Sequence, residues 1–181
     1  SSLQVTAYDA VGNASSATCS SNVTLSGLVL FNDINTLPAS VGAVTVGSVV
    51  YYVGTDFTHG SELWKTDGTS AGTAMVKDIN PGADGSYPSD LTSVNGTLYF
   101  KADDGADGAE LWKSDGTVAG TVMVEDINPG AGYSDSYHLT AAGDDVYFTA
   151  TDGVHGYELW TSDGTPAGTT LSVVGMAAAI G

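Results

Sequence analysis

The chain has no arginine, and its four lysines face 21 acidic residues, for a formal charge of -17. So large an acidic excess repels phosphate backbones and anionic membrane surfaces, which argues against nucleic-acid and membrane-surface partners. Acidity of this kind aids solubility and attracts cations, but it does not set a fold. Cysteine is nearly absent as well. Cys19 alone excludes an internal disulfide and any zinc site built on cysteine pairs. It is either a small half-buried residue or a thiol that bridges two chains. No apolar run reaches the roughly 18–20 residues that a membrane-spanning helix needs. Helical periodicity is missing too: no stretch of about 11 residues or more repeats its apolar positions every three or four residues. There is no initiator methionine and no charged leader, so the chain is expected to be a processed or excised piece of something longer.

What is present is apolar residues at 42% and glycine at 24 positions in 181 residues. That is enough for one or two domains with a core, and it favours short strands joined by glycine turns. The strongest signal is a repeat, which takes precedence over any local assignment. "ELWKTDGTSAGT" at 62–73 returns as "ELWKSDGTVAGT" at 110–121 and as "ELWTSDGTPAGT" at 158–169. The spacing of 48 residues relates Trp64, Trp112 and Trp160, and likewise Glu62, Glu110 and Glu158. Asp67, Asp115 and Asp163 obey it, as do Gly60, Gly108 and Gly156, and Tyr51, Tyr99 and Tyr147. The register holds from about residue 43 to 173, and "DIN" at 33–35 is an earlier partial copy.

Each unit reads as four strands. In the second, "DLTSV" (90–94) meets the hairpin turn Asn95-Gly96, and "TLYFKAD" (97–103) then alternates. Leu98, Phe100 and Ala102 face one way; Thr97, Tyr99 and Lys101 face the other. "AELWKSD" (109–115) and "TVMVEDI" (121–127) complete the unit, and "NPG" leads to the next. Four antiparallel strands per 40–50 residues, repeated, is the pattern of propeller blades. A single blade has two apolar faces and buries neither alone. The tryptophans are therefore expected at blade-to-blade contacts, each contributing about 2–3 kcal/mol by burial. The Asp-Gly-Thr words have a local reason: the Asp side chain accepts the N–H two residues on, and Gly supplies positive φ.

These three motifs, with the flanking "DINPG" and "GTLYFKADDG", resemble the ELWxxDGT repeat of bacterial secreted and cell-surface proteins. The resemblance covers roughly residues 29–174. It implies a propeller-like all-β fold and an extracellular or cell-surface location, and it carries no catalytic residues. The third copy departs after Thr170, where "LSVVGMA" replaces "VMVEDIN". The expected units are about 43–87, 88–135 and 136–176 within a domain at 29–181. The array is thus about three blades, incomplete or completed by other copies, since closed propellers have 4–8. The apolar end "LSVVGMAAAIG" (171–181) is expected to be a strand plus a tail that something else covers.

Residues 1–28 lie outside the register. "LQVTAYDAVGN" alternates Leu3, Val5 and Ala7 against Gln4, Thr6 and Tyr8 and resembles the closing strand of bacterial immunoglobulin-like modules. It is either the tail of such a module or a strand donated to another subunit.

Candidate chemistry is sparse. His59 and His155 share a repeat position with Asp107, which suits a transition metal on one rim or an exposed turn. Asp103, Asp104 and Asp107 in "DDGADG" offer calcium carboxylates on a flexible loop, or a solvated turn. Glu62, Glu110 and Glu158 are expected to accept backbone hydrogen bonds or face solvent rather than form a hydrolase pair. Tyr133, Tyr137 and His138 are candidates to stack on a sugar or to pack. Asn13, Asn22 and Asn95 fit the short glycosylation pattern. The expected function is a non-enzymatic extracellular module of an adhesive or filamentous assembly. Its expected partners are copies of itself or neighbouring modules; the alternative is a carbohydrate- or calcium-dependent ligand-binding propeller.

Overall fold

A computed structural model describes residues 3–8, 14–19 and 42–172. The chain divides into two units, Ser1–Val41 and Gly42–Gly181. In the first, strands β1 (Leu3–Tyr8) and β2 (Ala14–Cys19) pair antiparallel, Leu3 opposite Cys19 and Ala7 opposite Ser15. The alternating strand expected at Leu3, Val5 and Ala7 therefore has a partner within its own unit. The expected boundary at residue 28, the early "DIN", Asn13, Asn22 and the tail from 173 lie outside the described residues.

The second unit holds three sheets and, among the described residues, no helix. Sheet 1 runs β3 (Val44–Val46), β4 (Val49–Asp56), β5 (Gly60–Thr66), β6 (Ala74–Lys77). Sheet 2 runs β7 (Ser89–Val94), β8 (Thr97–Asp103), β9 (Ala109–Ser114), β10 (Val122–Glu125). Sheet 3 runs β11 (Tyr137–Ala142), β12 (Asp145–Thr151), β13 (Tyr157–Ser162), β14 (Thr170–Leu171). Each is an antiparallel meander, because short glycine turns permit only neighbour pairing. Asn95 (φ 47°) and Gly96 (φ 84°) both adopt the left-handed conformation that a type I′ hairpin demands. No described helix is long and apolar enough to cross a membrane.

Period-2 alternation gives each sheet two apolar faces, and the sheets cover them with one another. At the first junction Tyr51, Leu63, Val76 and Ile79 of the first repeat pack on Leu98, Phe100, Ala102 and Trp112 of sheet 2. At the second, Tyr99, Leu111, Val124 and Ile127 of the second repeat pack on Val146, Phe148, Ala150 and Trp160 of sheet 3. Leu98, Phe100 and Ala102 thus face one neighbour and Tyr99 the other, as the alternation dictates. Trp112 is buried in the first junction and Trp160 packs against the second. Trp64 is half-buried, as Trp160 is, and among the described residues no sheet precedes its own.

The repeat supplies its own control. Leu63 and Leu111 are 0% exposed, whereas Leu159, at the same position on the face of sheet 3 that no described sheet covers, is 40% exposed. Truncating Leu63 or Leu111 to Ala is expected to cost about 2–5 kcal/mol, the usual range for a buried leucine. Leu159→Ala is expected to cost about 1 kcal/mol or less in dilute solution, because little area is lost. Chemical denaturation of the three variants checks this; equal losses would show that the junctions do not bury these positions differently.

Candidate functional site

The repeated words build turns and junctions. In the second unit, Asp115 Oδ1 accepts from the Thr117 N–H (2.8 Å) and hydroxyl (2.7 Å). Thr117 Oγ1 in turn accepts from Gly120 N–H (2.9 Å), and the Thr121 hydroxyl donates to Thr117 O (2.7 Å). Asp67 and Asp163 make the same bonds with Thr69 and Thr165. These bonds hold all three carboxyls below their ordinary range, the threonine hydroxyl contributing most. The second glycine of each motif is required by space, since a Cβ at Gly72, Gly120 or Gly168 would collide with the Asp carboxylate.

Glu62 and Glu110 are fully buried. Glu62 accepts from the N–H groups of Ile79 (3.2 Å), Asn80 (3.2 Å) and Ser86 (2.9 Å), and from the Ser86 hydroxyl (2.5 Å). Glu110 accepts from the N–H groups of Ile127 (3.1 Å) and Ser134 (2.9 Å). Each carboxyl therefore pins the connector leading to the next sheet, and neither faces a cleft. Glu158 is half-buried, and the matching connector begins past the described residues. The indole N–H groups of Trp64, Trp112 and Trp160 are buried without a partner, so the tryptophans stabilise by area and not by hydrogen bonding.

All four lysines serve the junctions. Lys65 Nζ donates to Gly116 O (2.7 Å) and Lys113 Nζ to Gly164 O (2.6 Å), each reaching the Asp-Gly-Thr turn of the following repeat. Lys77 Nζ donates to Thr121 O (2.8 Å) and lies 5.4 Å from the Trp112 ring centre. Lys101 Nζ lies 3.8 Å from the Tyr137 ring centre and 3.8 Å from Asp135 Oδ1. Main-chain carbonyls thus accept from three of these half-buried ammonium groups. The tyrosines follow the lysines: a Cβ at Gly116 would collide with the Tyr51 hydroxyl, and one at Gly164 with that of Tyr99.

The proposed metal ligands are not gathered. His59 Nδ1 meets Asp56 Oδ2 at 2.9 Å and His155 Nδ1 meets Asp152 Oδ2 at 2.7 Å, each within its own turn. Both imidazoles are raised above their ordinary value, first by that hydrogen bond, and Asp56 and Asp152 are lowered by it. Asp103 Oδ1 accepts from Gly105 N–H (2.8 Å); Asp104 Oδ1 accepts from the N–H groups of Ala106 (2.9 Å) and Asp107 (2.9 Å). These carboxylates cap their own turn, and among the described residues no three His, Cys, Asp or Glu side chains come together to hold a metal.

One cluster breaks the repeat. The hydroxyls of Tyr137 (3.1 Å) and Tyr157 (3.2 Å) donate to the two oxygens of Asp135, which sits at φ 49°. The equivalent positions in the preceding repeat are Ser89, Ala109 and Tyr87, which cannot form it. The Tyr137 and His138 rings lie 6.3 Å apart, and Tyr133 is exposed nearby in sequence. No family model, curated protein or solved structure matches the chain.

Burial pushes the Glu110 carboxyl up to about 7, against the opposing pull of Ser134 and the Ile127 N–H. The folded protein thus holds a proton that the unfolded chain releases near 4.5. Stability from this group is full below that value and is lost as pH climbs toward 7. Thermal unfolding between those pH values is expected to show a shallower fall in Glu110→Gln than in the wild type. An unchanged slope would contradict the assignment.

Proposed function

We propose that the chain is a non-enzymatic structural and interaction module. Its sheets act as blades of a propeller-like array within an extracellular adhesive or filamentous assembly. The observation that carries this reading is the incomplete burial at the two ends of the array: positions sealed inside the junctions lie open on sheets 1 and 3. Val50, Tyr52 and Gly54 are half-buried where Leu98, Phe100 and Ala102, and likewise Val146, Phe148 and Ala150, are buried. Partly exposed apolar side chains on one sheet face, such as Val50 and Tyr52, fit an interaction face. The glutamates support a non-catalytic role, because buried carboxylates spent on main-chain N–H groups are not presented to a substrate. The resemblance of the three motifs to the ELWxxDGT repeat supports the extracellular setting.

A second reading has its own observation. Tyr157, 61% exposed, lies with Tyr137 and Lys101 around Asp135, and Tyr133, 53% exposed, is close in sequence. Aromatic rings next to a carboxylate and an ammonium are the groups that stack on and hydrogen-bond to a carbohydrate. Calorimetric titration with glycans, comparing the wild type with Tyr157→Ala, tests it.

For the assembly reading, light scattering during size-exclusion chromatography is expected to give a mass above the 18.3 kDa of one chain, rising with concentration. A single-chain mass at every concentration would overturn it.

A further inference from the structure

The assembly reading leaves open which surfaces meet, and the repeat answers it. Each internal junction joins two unlike faces. The leading face of one sheet contributes a tyrosine, a leucine and a lysine: Tyr51, Leu63 and Lys65, then Tyr99, Leu111 and Lys113. The trailing face of the next contributes an aromatic ring, a tryptophan and the carbonyl of an Asp-Gly-Thr glycine: Phe100, Trp112 and Gly116, then Phe148, Trp160 and Gly164. Met123 also packs into the first junction from the trailing side.

Among the described residues nothing packs on the leading face of sheet 3, with Tyr147 and Leu159, or on the trailing face of sheet 1, with Tyr52, Trp64 and Met75. Cross-strand register confirms the sides: Thr149 pairs with Leu159, and Tyr52 pairs with Trp64, which pairs with Met75. The acceptor end is open as well. A Cβ at Gly68 would meet nothing within 4 Å, where Gly116 and Gly164 are met by tyrosine hydroxyls.

We infer that sheet 3 of one copy docks its leading face on the trailing face of sheet 1 of a second copy, reproducing head to tail the junction already made twice within the chain. This rests on the assembly reading. The interface is heterologous, so two copies close a six-sheet ring if the rotation allows, and otherwise the chain extends as a filament. Tyr147 of one copy then covers Gly68 of the next, and Leu159 enters beside Tyr52 and Trp64. One element of the internal junction is missing. Thr161 stands where Lys65 and Lys113 stand in the earlier repeats, and its hydroxyl is buried without a partner. The intermolecular junction therefore lacks the ammonium-to-carbonyl bond and is weaker than the internal ones. This weakness suits reversible association between chains that each carry a charge of -17, whose repulsion salt screens.

The test uses four forms of the whole chain in moderate salt: wild type, Leu159→Glu, Met75→Glu and Thr161→Lys. Both acidic substitutions fall on positions that are not sealed in the fold, and circular dichroism checks that each variant is folded. By sedimentation equilibrium, each alone is expected to weaken self-association more than about tenfold, since a charge is set against an apolar face. Mixed in equal amounts they are expected to regain one junction and stop at two chains, because one copy keeps an intact sheet 1 face and the other an intact sheet 3 face. Thr161→Lys is expected to tighten association roughly tenfold, the size of a charged hydrogen bond. If the wild type assembles but neither acidic variant weakens it, or the mixture shows no rescue, the head-to-tail docking is overturned while the assembly reading stands. A wild type that never assembles removes both.

Discussion

A four-stranded sheet with apolar residues on both sides cannot stand alone in water. Sheet 2 meets this constraint fully. Leu98, Phe100 and Trp112 are buried against sheet 1, and Tyr99 and Leu111 against sheet 3. The rest of the structure follows from repeating that solution. The turns must be tight enough to keep the strands in meander, the connectors must return the chain to the same starting edge, and the same bulky groups must recur at the same heights. The recurring motif is the sum of these demands: tryptophan and leucine for the faces, Asp-Gly-Thr for the turn, glutamate for the connector.

Polar chemistry is used sparingly and mostly against the main chain. Glu62 and Glu110 accept connector N–H groups, while Lys65, Lys77 and Lys113 donate to carbonyls across a junction. Main-chain hydrogen bonds replace water around the half-buried ammonium groups, whereas burial makes Glu110 keep its proton up to about pH 7. The acidic excess sits elsewhere, on exposed turns such as Asp67, Asp115 and Asp163, where hydrated carboxylates cost little. A chain so poor in cations thereby places its few ammonium groups where sheet meets sheet. The division of labour is clear: apolar area supplies the bulk of the stability, and lysine-to-carbonyl bonds fix the rotation of one sheet on the next.

Much of the fold was legible because the repeat multiplies weak signals. Three copies of Trp, Asp-Gly-Thr and Gly-Thr gave the unit boundaries, and alternation in "TLYFKAD" gave the two faces of β8. The buried role of Glu110 was harder to read, because its partners Ile127 and Ser134 are distant in sequence and no local pattern announces them. The lysine junctions leave a trace in the sequence: Lys65 and Lys113 share the repeat position and Thr161 interrupts it. Trp64 was expected in a sheet-to-sheet contact on the strength of its copies. Among the described residues no sheet precedes the first, so the contact expected of Trp64 lies outside them. The pairing of β1 with β2 was missed since "ASSATC" has small residues and no apolar alternation. The metal expectations on Asp103, Asp104, Asp107 and the histidines rest on a shared repeat position and on crowding in one glycine turn; Asp103, Asp104, His59 and His155 instead bond within their own turns.

The central claim is that neighbouring sheets bury one another, which makes the middle sheet the best protected. Amide hydrogen exchange resolved by strand, in dilute solution, measures this directly. The account predicts the slowest exchange in β8 and β9, with β4, β5, β12 and β13 faster because, among the described residues, each belongs to a sheet covered on one side only. Equal protection across the three sheets, or a middle sheet that exchanges faster than its neighbours, would contradict it.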